Sequence, residues 1–100
     1  MIYITQLIYL KAGQEEAFHA FEAVAIPIIG KYRGQLLFRI RPTSETVIDS
    51  GSEIPYEIHL VSFPAEADFE NFKHDEERKQ YLHLKEQAIR EVLLIKGGSI

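Results

Sequence analysis

Apolar and polar positions follow two different periods along the chain, and each change of period marks a predicted element. Residues 2–10 are apolar or β-branched on both alternating sets of positions, which is typical of a strand covered on both faces. From Gln14 the period becomes helical. The apolar stripe of this helix consists of Phe18, Phe21, Ala25, Ile28 and Ile29. Its acidic residues, Glu22 among them, are predicted to lie outside the stripe.

The rest of the chain continues with three further strands and more helix. Residues 35–41 alternate and predict a second strand, and a third strand is predicted over residues 56–63. The two faces of the second strand carry Leu36, Phe38 and Ile40, and Leu37, Arg39 and Arg41, respectively. A short helix over residues 65–72 and a helix capped by Asp75 follow. Residues 88–96 predict a fourth strand.

The predicted order is strand, helix, strand, strand, helix, strand, within one domain of residues 1–100. This order is that of the ferredoxin-like split βαβ arrangement, so the fold class is α+β. Right-handed crossovers place the first and third strands at the centre of a four-stranded antiparallel sheet of order 4-1-3-2. Both helical segments are then predicted to lie on one face of the sheet.

The opposite face of the sheet has no helix to cover it. Residues predicted for this face are either Ile2, Ile4, Ile8 and Leu10 or Tyr3, Leu7 and Tyr9, joined by Ile58, Leu60, Val92 and Leu94. A large exposed apolar face usually marks an interface. Two such sheets packed face to face form a two-fold dimer, so we expect a homodimer through the sheet faces. The alternative is a monomer whose strand faces differ from those assigned.

Composition narrows the classes of function. The chain has 100 residues, 11 Lys plus Arg against 15 Asp plus Glu, a net charge of −4, and no cysteine. This acidity disfavours nucleic-acid binding, and thiolate chemistry is excluded. The first residues lack a basic leader and a cleavage site, and the apolar run there is shorter than the about 20 residues of a membrane span. We expect a cytoplasmic protein without a membrane or nucleic-acid partner.

Histidine is the first residue type to consider for catalysis. The four histidines have no helical metal-binding spacing, so no metal site is predicted. His59 shares its side of the third strand with Val61 and Phe63, which we predict to face the helices. A histidine at such a position is a candidate catalytic base or ligand-binding residue. The alternative is a core histidine satisfied by one hydrogen bond.

Three further residues are candidates for ligand binding. Arg39 and Arg41 are two residues apart in a strand, so both project to one side. Arg39 is a candidate to bind a carboxylate or other anion, with a salt bridge or an exposed edge charge as the alternative. Tyr9 and Tyr56 are candidates to line a pocket with polar tips, although such aromatic residues are usually core.

Two segments resemble a known family. In residues 26–37, a proline late in the first helix is followed by Tyr-Arg-Gly, where that family has Tyr-Gly-Gly, so Arg33 replaces the first glycine. Residues 58–64, followed by Phe69, Phe72 and Asp75, are similar to the family's third strand and its Phe-Pro exit. The family is a largely uncharacterised bacterial one within the dimeric α/β barrel superfamily, alongside the antibiotic-biosynthesis monooxygenases.

The resemblance implies a homodimer whose two sheets form an α/β barrel, with a ligand cavity between sheet and helices in each subunit. Superfamily members include cofactor-independent oxygenases, haem-degrading enzymes, dismutases and proteins without known activity, so the fold does not settle the chemistry. The implied function is binding of a small organic molecule, with cofactor-independent monooxygenase-like activity as its enzymatic form. The alternative is a non-catalytic ligand-sensing or dimerisation module. No cofactor is expected, and the chain has no tryptophan for a haem-degrading Asn-Trp-His set.

Overall fold

The chain forms four strands and four helices, and the structure, a computed structural model, describes residues 1–100. The elements are β1 (Ile2–Leu10), α1 (Glu15–Lys31), β2 (Gln35–Ile40), β3 (Glu57–Phe63), α2 (Glu66–Lys73), α3 (Glu76–Gln80), α4 (Leu82–Ala88) and β4 (Ile89–Gly97). The helix predicted after Asp75 is therefore divided in two. Tyr81 separates α3 from α4, with φ −111° and ψ 6°. The Asp75 side chain caps α3 as predicted, because it accepts a hydrogen bond from the Arg78 backbone N–H.

The four strands form one antiparallel sheet of order β2-β3-β1-β4, which is the predicted order 4-1-3-2. The helices cover one face only. The shortest dimension of the Cα trace, 16 Å, fits one sheet and one layer of helices. The structure thus has the predicted α+β, ferredoxin-like fold. None of its helices has the length and apolar character that a membrane span requires.

The core lies between the sheet and the helices and fixes the orientation of β1. Ile4 and Ile8 of β1 are buried there, Ile4 beside Ile29 of α1 and Ile8 beside Phe18. Consequently the alternate positions of β1, such as Leu7, face away from the helices. This result selects the second of the two sets predicted for the open face, although Tyr9 of that set is itself buried.

Cross-strand pairing identifies the other residues of the open face, because directly paired residues share a face. Leu7 pairs with Ile58 and Leu93, and Thr5 pairs with Leu60 and Ile95. Ile58 and Leu60 therefore lie where they were predicted. The prediction for Val92 and Leu94 is wrong: both line the helix side, and Leu93 and Ile95 take the open face. Residues 92–95 are all apolar, so their pattern carries no signal for one face over the other.

A β-bulge in β2 corrects another prediction. Leu36 pairs with Val61, but Phe38 pairs with Leu60, so the register shifts by one residue between them. Leu36 therefore packs on the helix side, whereas Phe38 and Ile40 lie on the open face. The regular alternation had placed all three together. After the bulge, Arg39 pairs with His59, and the two residues share the helix side of the sheet.

The turn from α1 into β2 is tight. Arg33 adopts φ 65°, at the position where the resembling family has glycine, and its side chain forms a 2.7 Å salt bridge with Asp68. Gly34 follows in close contact with the core. A Cβ atom on Gly34 would lie 2.6 Å from Cε1 of Phe63 and 2.7 Å from Cγ2 of Ile29. The absence of a side chain at this position therefore lets β2 approach the core.

We predict that Gly34→Ala lowers the free energy of unfolding by about 1–3 kcal/mol, because the added methyl group must displace Phe63 or Ile29. Gly30→Ala is the matched control. Gly30 lies within α1 with open space around its Cα, so alanine there leaves stability unchanged or slightly raised. Urea unfolding followed by circular dichroism measures both. Equal stability of the two variants would contradict the close approach at Gly34.

Candidate functional site

A cavity of about 290 Å³ lies between the sheet and the helices, where the resemblance implied one. Fourteen of its 19 lining residues are apolar. The remaining five are Gln6, Glu22, His59, Arg78 and Lys85. The volume is at the lower end of the range for small-molecule pockets, roughly 300–1,000 Å³. An apolar wall with a few polar groups is the general form of a site for a small organic ligand.

His59 lies on the cavity wall near the centre of the sheet. It is opposite Gln6 in β1 and Arg39 in β2, and all three share the helix side. The side chain is buried, as its predicted orientation required. Its Nε2 atom lies 3.0 Å from Oε2 of Glu22 and 2.5 Å from Oε2 of Glu57. The imidazole is therefore held by two carboxylates.

Two guanidinium groups complete this arrangement. Arg39 donates from Nη2 to Oε1 of Glu22 at 2.8 Å and from Nε to Oε2 of Glu57 at 3.2 Å. Arg41 donates from Nε to Oε1 of Glu57 at 2.8 Å. The five residues form what we call the charge cluster: Glu22, Arg39, Arg41, Glu57 and His59. Two carboxylates thus face two guanidinium groups and one imidazole.

Sequence spacing explains how the charge cluster assembles. Glu57 and His59 are two apart in β3, and Arg39 and Arg41 are two apart along β2 and its end, so each pair shares a side. Glu22 follows Phe18 by four residues, which places it on the buried stripe of α1. The prediction that Glu22 lies outside this stripe is wrong, since the residue is only 3% exposed. Hydrophobic periodicity predicts that a charged residue is exposed, so it cannot identify a carboxylate that is buried because it is paired.

The charge cluster changes the proton affinities of its members. Burial opposes the charge of Glu57, yet hydrogen bonds from His59 and Arg41 hold the pKa of its carboxyl well below the usual range. Burial likewise favours neutral His59, but its hydrogen bonds to Glu22 and Glu57 outweigh this effect and raise the pKa of the imidazole. Both shifts favour the charged, hydrogen-bonded forms. With the imidazole charged, the cluster holds two negative and three positive charges, a net charge of +1.

Three members of the charge cluster are also of metal-ligand type. Ligating atoms of Glu22, Glu57 and His59 all lie within 4.8 Å of one another. No metal site was predicted, because the histidine spacing gave no sign of one. The carboxylate oxygens already accept hydrogen bonds from Arg39 and Arg41. A metal ion there would compete with two fixed positive charges for the same atoms.

The structure brings together some predicted site residues and separates others. His59 and Arg39 are neighbours, but Arg39 is occupied by Glu22 and Glu57, so its anion partners are internal. Tyr9 and Tyr56 do not line the cavity. The Tyr9 hydroxyl donates to the Glu53 carbonyl at 3.1 Å. The Tyr56 hydroxyl lies 2.7 Å from Nε2 of His19, and these two form a separate pair.

Besides Glu22, three polar residues of the cavity were not predicted from the sequence. Gln6 is a polar residue within the apolar run of β1, and its side chain faces the cavity. Arg78 and Lys85 come from α3 and α4, and the sequence pattern assigned neither of them to a site. A signal was present, since Arg78, Leu82 and Lys85 have the spacing of one helix face. Charged residues on such a face suggest a polar part of an otherwise apolar wall.

Comparison with known proteins establishes the fold. No protein-family model and no curated protein matches the sequence. A protein of unknown function from Rhodopseudomonas palustris has a similar structure, with TM-score 0.82, 16% identity, and coverage of 99% of this chain and 82% of that one. A dabb family protein with a ferredoxin-like fold from Mesorhizobium loti is similar with TM-score 0.67 and 16% identity, and the match covers 99% of this chain and 96% of that one. A dimeric protein of unknown function and ferredoxin-like fold from Bacteroides fragilis is similar with TM-score 0.69 and 8% identity, and the match covers 96% of this chain and 93% of that one.

We predict that Glu57→Gln lowers the free energy of unfolding at pH 7 by about 2–4 kcal/mol. The loss is below that of a fully buried ion pair, because Arg39 and Arg41 are partly exposed. The carboxylate stabilises the fold above its unfolded pKa, near the ordinary value of 4.5, and this stabilisation is lost as the pH falls towards the lowered folded pKa. The difference between wild type and variant should therefore shrink below about pH 4.5.

Glu53→Gln is the control for this measurement. Glu53 forms a surface ion pair with Arg90, and its removal should cost less than about 1 kcal/mol. Denaturant unfolding at several pH values measures both variants. A pH-independent loss at Glu57, or a loss no larger than that at Glu53, would show that the charge cluster does not stabilise the fold.

Proposed function

We propose that the protein is a homodimer, each subunit of which binds a small organic molecule in the cavity between the sheet and the helices. The observation that carries this proposal is the cavity itself, whose apolar wall is interrupted by a few polar groups near His59. The cavity is lined by the sheet and by all four helices, for example by Ile8 of β1, Phe21 of α1, Phe72 of α2, Arg78 of α3 and Lys85 of α4. The ligand would therefore bridge the two layers of the fold.

The open face of the sheet supports the homodimer. Large apolar side chains are exposed on this face in β2 and β4, among them Phe38 at 65% and Ile95 at 58%. Leu7, Ile58 and Leu60 of the central strands share the face. A second copy of the same face would cover it by sheet-on-sheet packing, which forms the barrel that the resemblance implies. One structurally similar protein is described as dimeric.

We predict that Phe38→Asp converts the homodimer into a folded monomer, because the charge would be buried without a partner between two apolar sheets. The control is Ile48→Asp, since Ile48 is 97% exposed outside the strands. Sedimentation velocity should give twice the monomer mass for the wild type and for the control, and the monomer mass for Phe38→Asp. A monomeric wild type at tens of micromolar would refute the dimer.

His59 is the residue to which we assign chemistry in the cavity. Its Nε2 points to two carboxylates, which accept hydrogen bonds only, so the proton of the neutral ring resides on Nε2. Nδ1 makes no hydrogen bond and keeps contact with solvent. Nδ1 is thus free to take a proton from a ligand. Glu22 and Glu57 would stabilise the imidazolium that forms, as a carboxylate does in a catalytic dyad.

Monooxygenase-like chemistry without a cofactor would start from the same step. Transfer of a proton from a ligand carbon to Nδ1 leaves a carbanion, and dioxygen would be the second reactant. The alternative is a non-catalytic ligand-binding module. It is favoured by the raised pKa of His59, because the charged imidazole has no lone pair to act as a base. The two functions differ in whether His59 exchanges a proton with the ligand.

We predict that the wild type catalyses hydrogen–deuterium exchange at the acidic carbon of small aromatic β-dicarbonyl compounds in D₂O, followed by proton NMR. The proton moves from carbon to Nδ1, and a deuteron returns from solvent. His59→Asn should lower the rate about 10²–10⁴-fold, and His83→Asn, on the surface, should leave it unchanged. The wild-type rate should rise with pH as His59 loses its proton. A wild-type rate equal to that of His59→Asn would favour the non-catalytic module.

A further inference from the structure

The charged residues of the cavity fall into two groups. Glu22 and His59 belong to the charge cluster and are paired within it. Arg78 and Lys85 form no salt bridge, although exposed lysines of the same helical region do. Lys73 pairs with Glu70 at 2.9 Å. The cavity therefore contains two positive charges without a negative partner.

Arg78 is held in place with part of its hydrogen-bonding capacity unused. Its guanidinium group lies 5.0 Å from the ring centre of Phe72 and 5.7 Å from that of Phe21. Nη1 donates to the Lys73 carbonyl at 3.0 Å, but the buried Nε has no partner. The two aromatic rings pack near the guanidinium group, and Nη2 makes no hydrogen bond within the protein. A buried donor without an acceptor costs free energy, so it marks a place for a ligand.

Asp75 is the acid whose charge acts on Arg78, but its side chain forms no salt bridge with the guanidinium group. The Oδ2 atom of Asp75 accepts hydrogen bonds from Nζ of Lys31 at 2.9 Å and from the Tyr32 hydroxyl at 2.6 Å. Its Oδ1 atom caps α3 by accepting from the Arg78 backbone N–H. Both carboxylate oxygens are thus engaged, and the Arg78 side chain is left unpaired.

Lys85 experiences the same shortage of negative charge. Burial lowers the pKa of its ammonium group, the nearby charge of Arg78 lowers it further, and Glu86 offsets the lowering only in part. Burial also lowers the pKa of Arg78. Two like charges that share an apolar cavity destabilise each other unless an anion enters between them.

We propose that the ligand of this cavity is a carboxylic acid with an apolar body, and that Arg78 and Lys85 bind its carboxylate. This proposal rests on the proposed small-molecule binding and specifies the class of ligand. The planar guanidinium edge of Arg78 matches the two oxygens of a carboxylate, and Lys85 adds a point charge. The apolar body would lie against lining residues such as Phe21, Phe69 and Val61. A cavity of about 290 Å³ suits a medium-chain or single-ring acid.

Isothermal titration calorimetry with octanoate and octanol tests this proposal, because the two probes share a chain and differ in charge. Wild type should bind octanoate at least about tenfold more tightly than octanol. Arg78→Gln and Lys85→Gln should each weaken octanoate binding about tenfold and leave octanol binding unchanged. Arg78→Lys should retain part of the preference. Lys79→Gln, which removes an exposed charge of the same helix, is the matched control.

The outcomes separate the two proposals. Equal binding of octanoate and octanol, with no effect of either Gln variant, would overturn the anion site and leave small-molecule binding intact. Binding of neither probe would contradict both proposals. Thermal unfolding of each variant shows whether it is folded. If Arg78→Gln does not fold, the octanoate affinity of Lys85→Gln tests the anion site instead. Loss of octanoate affinity in Lys79→Gln as well would show that overall charge, not the cavity, is responsible.

Discussion

Glu57 imposes the strongest physical constraint on this fold, because its carboxylate is fully buried at the start of a central strand. A buried carboxylate is tolerated only when charged donors surround it. Arg39 and Arg41 provide these donors from the neighbouring strand and His59 from the same one. Through His59 and Arg39 the cluster reaches Glu22, so it joins α1 to the sheet. The space beside this junction is the cavity.

The β-bulge in β2 links the cavity to the proposed interface. Without the extra residue between Leu36 and Phe38, the alternation would direct Arg39 away from the helices and Phe38 towards them. The bulge reverses both. It brings Arg39 to Glu57, and it places Phe38 on the open face that a second copy would cover. This one bulge in an edge strand therefore sets both which residue reaches the charge cluster and which residue lies on the proposed dimer face.

Element order, sheet order and the helix-facing side chain of His59 could be predicted from sequence, because changes of period and strand alternation are local signals. The faces of β1 and β4 could not, since apolar residues occupy both alternating sets there. The bulge in β2 leaves no mark in the composition of residues 35–41. Glu22 and Arg78 escaped prediction because a charged residue inside a fold depends on partners that are distant in sequence. The sequence shows that Glu57 and His59 lie two residues apart on one side of a strand. This spacing indicates a charge cluster only when Arg39 and Arg41 are known to lie beside them.

The proposed role of His59 depends on two carboxylates that hold its ring through Nε2. The most direct measurement is a pH titration of the His59 ring nitrogens in the intact protein by ¹⁵N NMR. We expect a titration midpoint above the ordinary pKa of 6.5, with the proton of the neutral ring on Nε2. A midpoint below 6.5, or a neutral ring protonated on Nδ1, would contradict it.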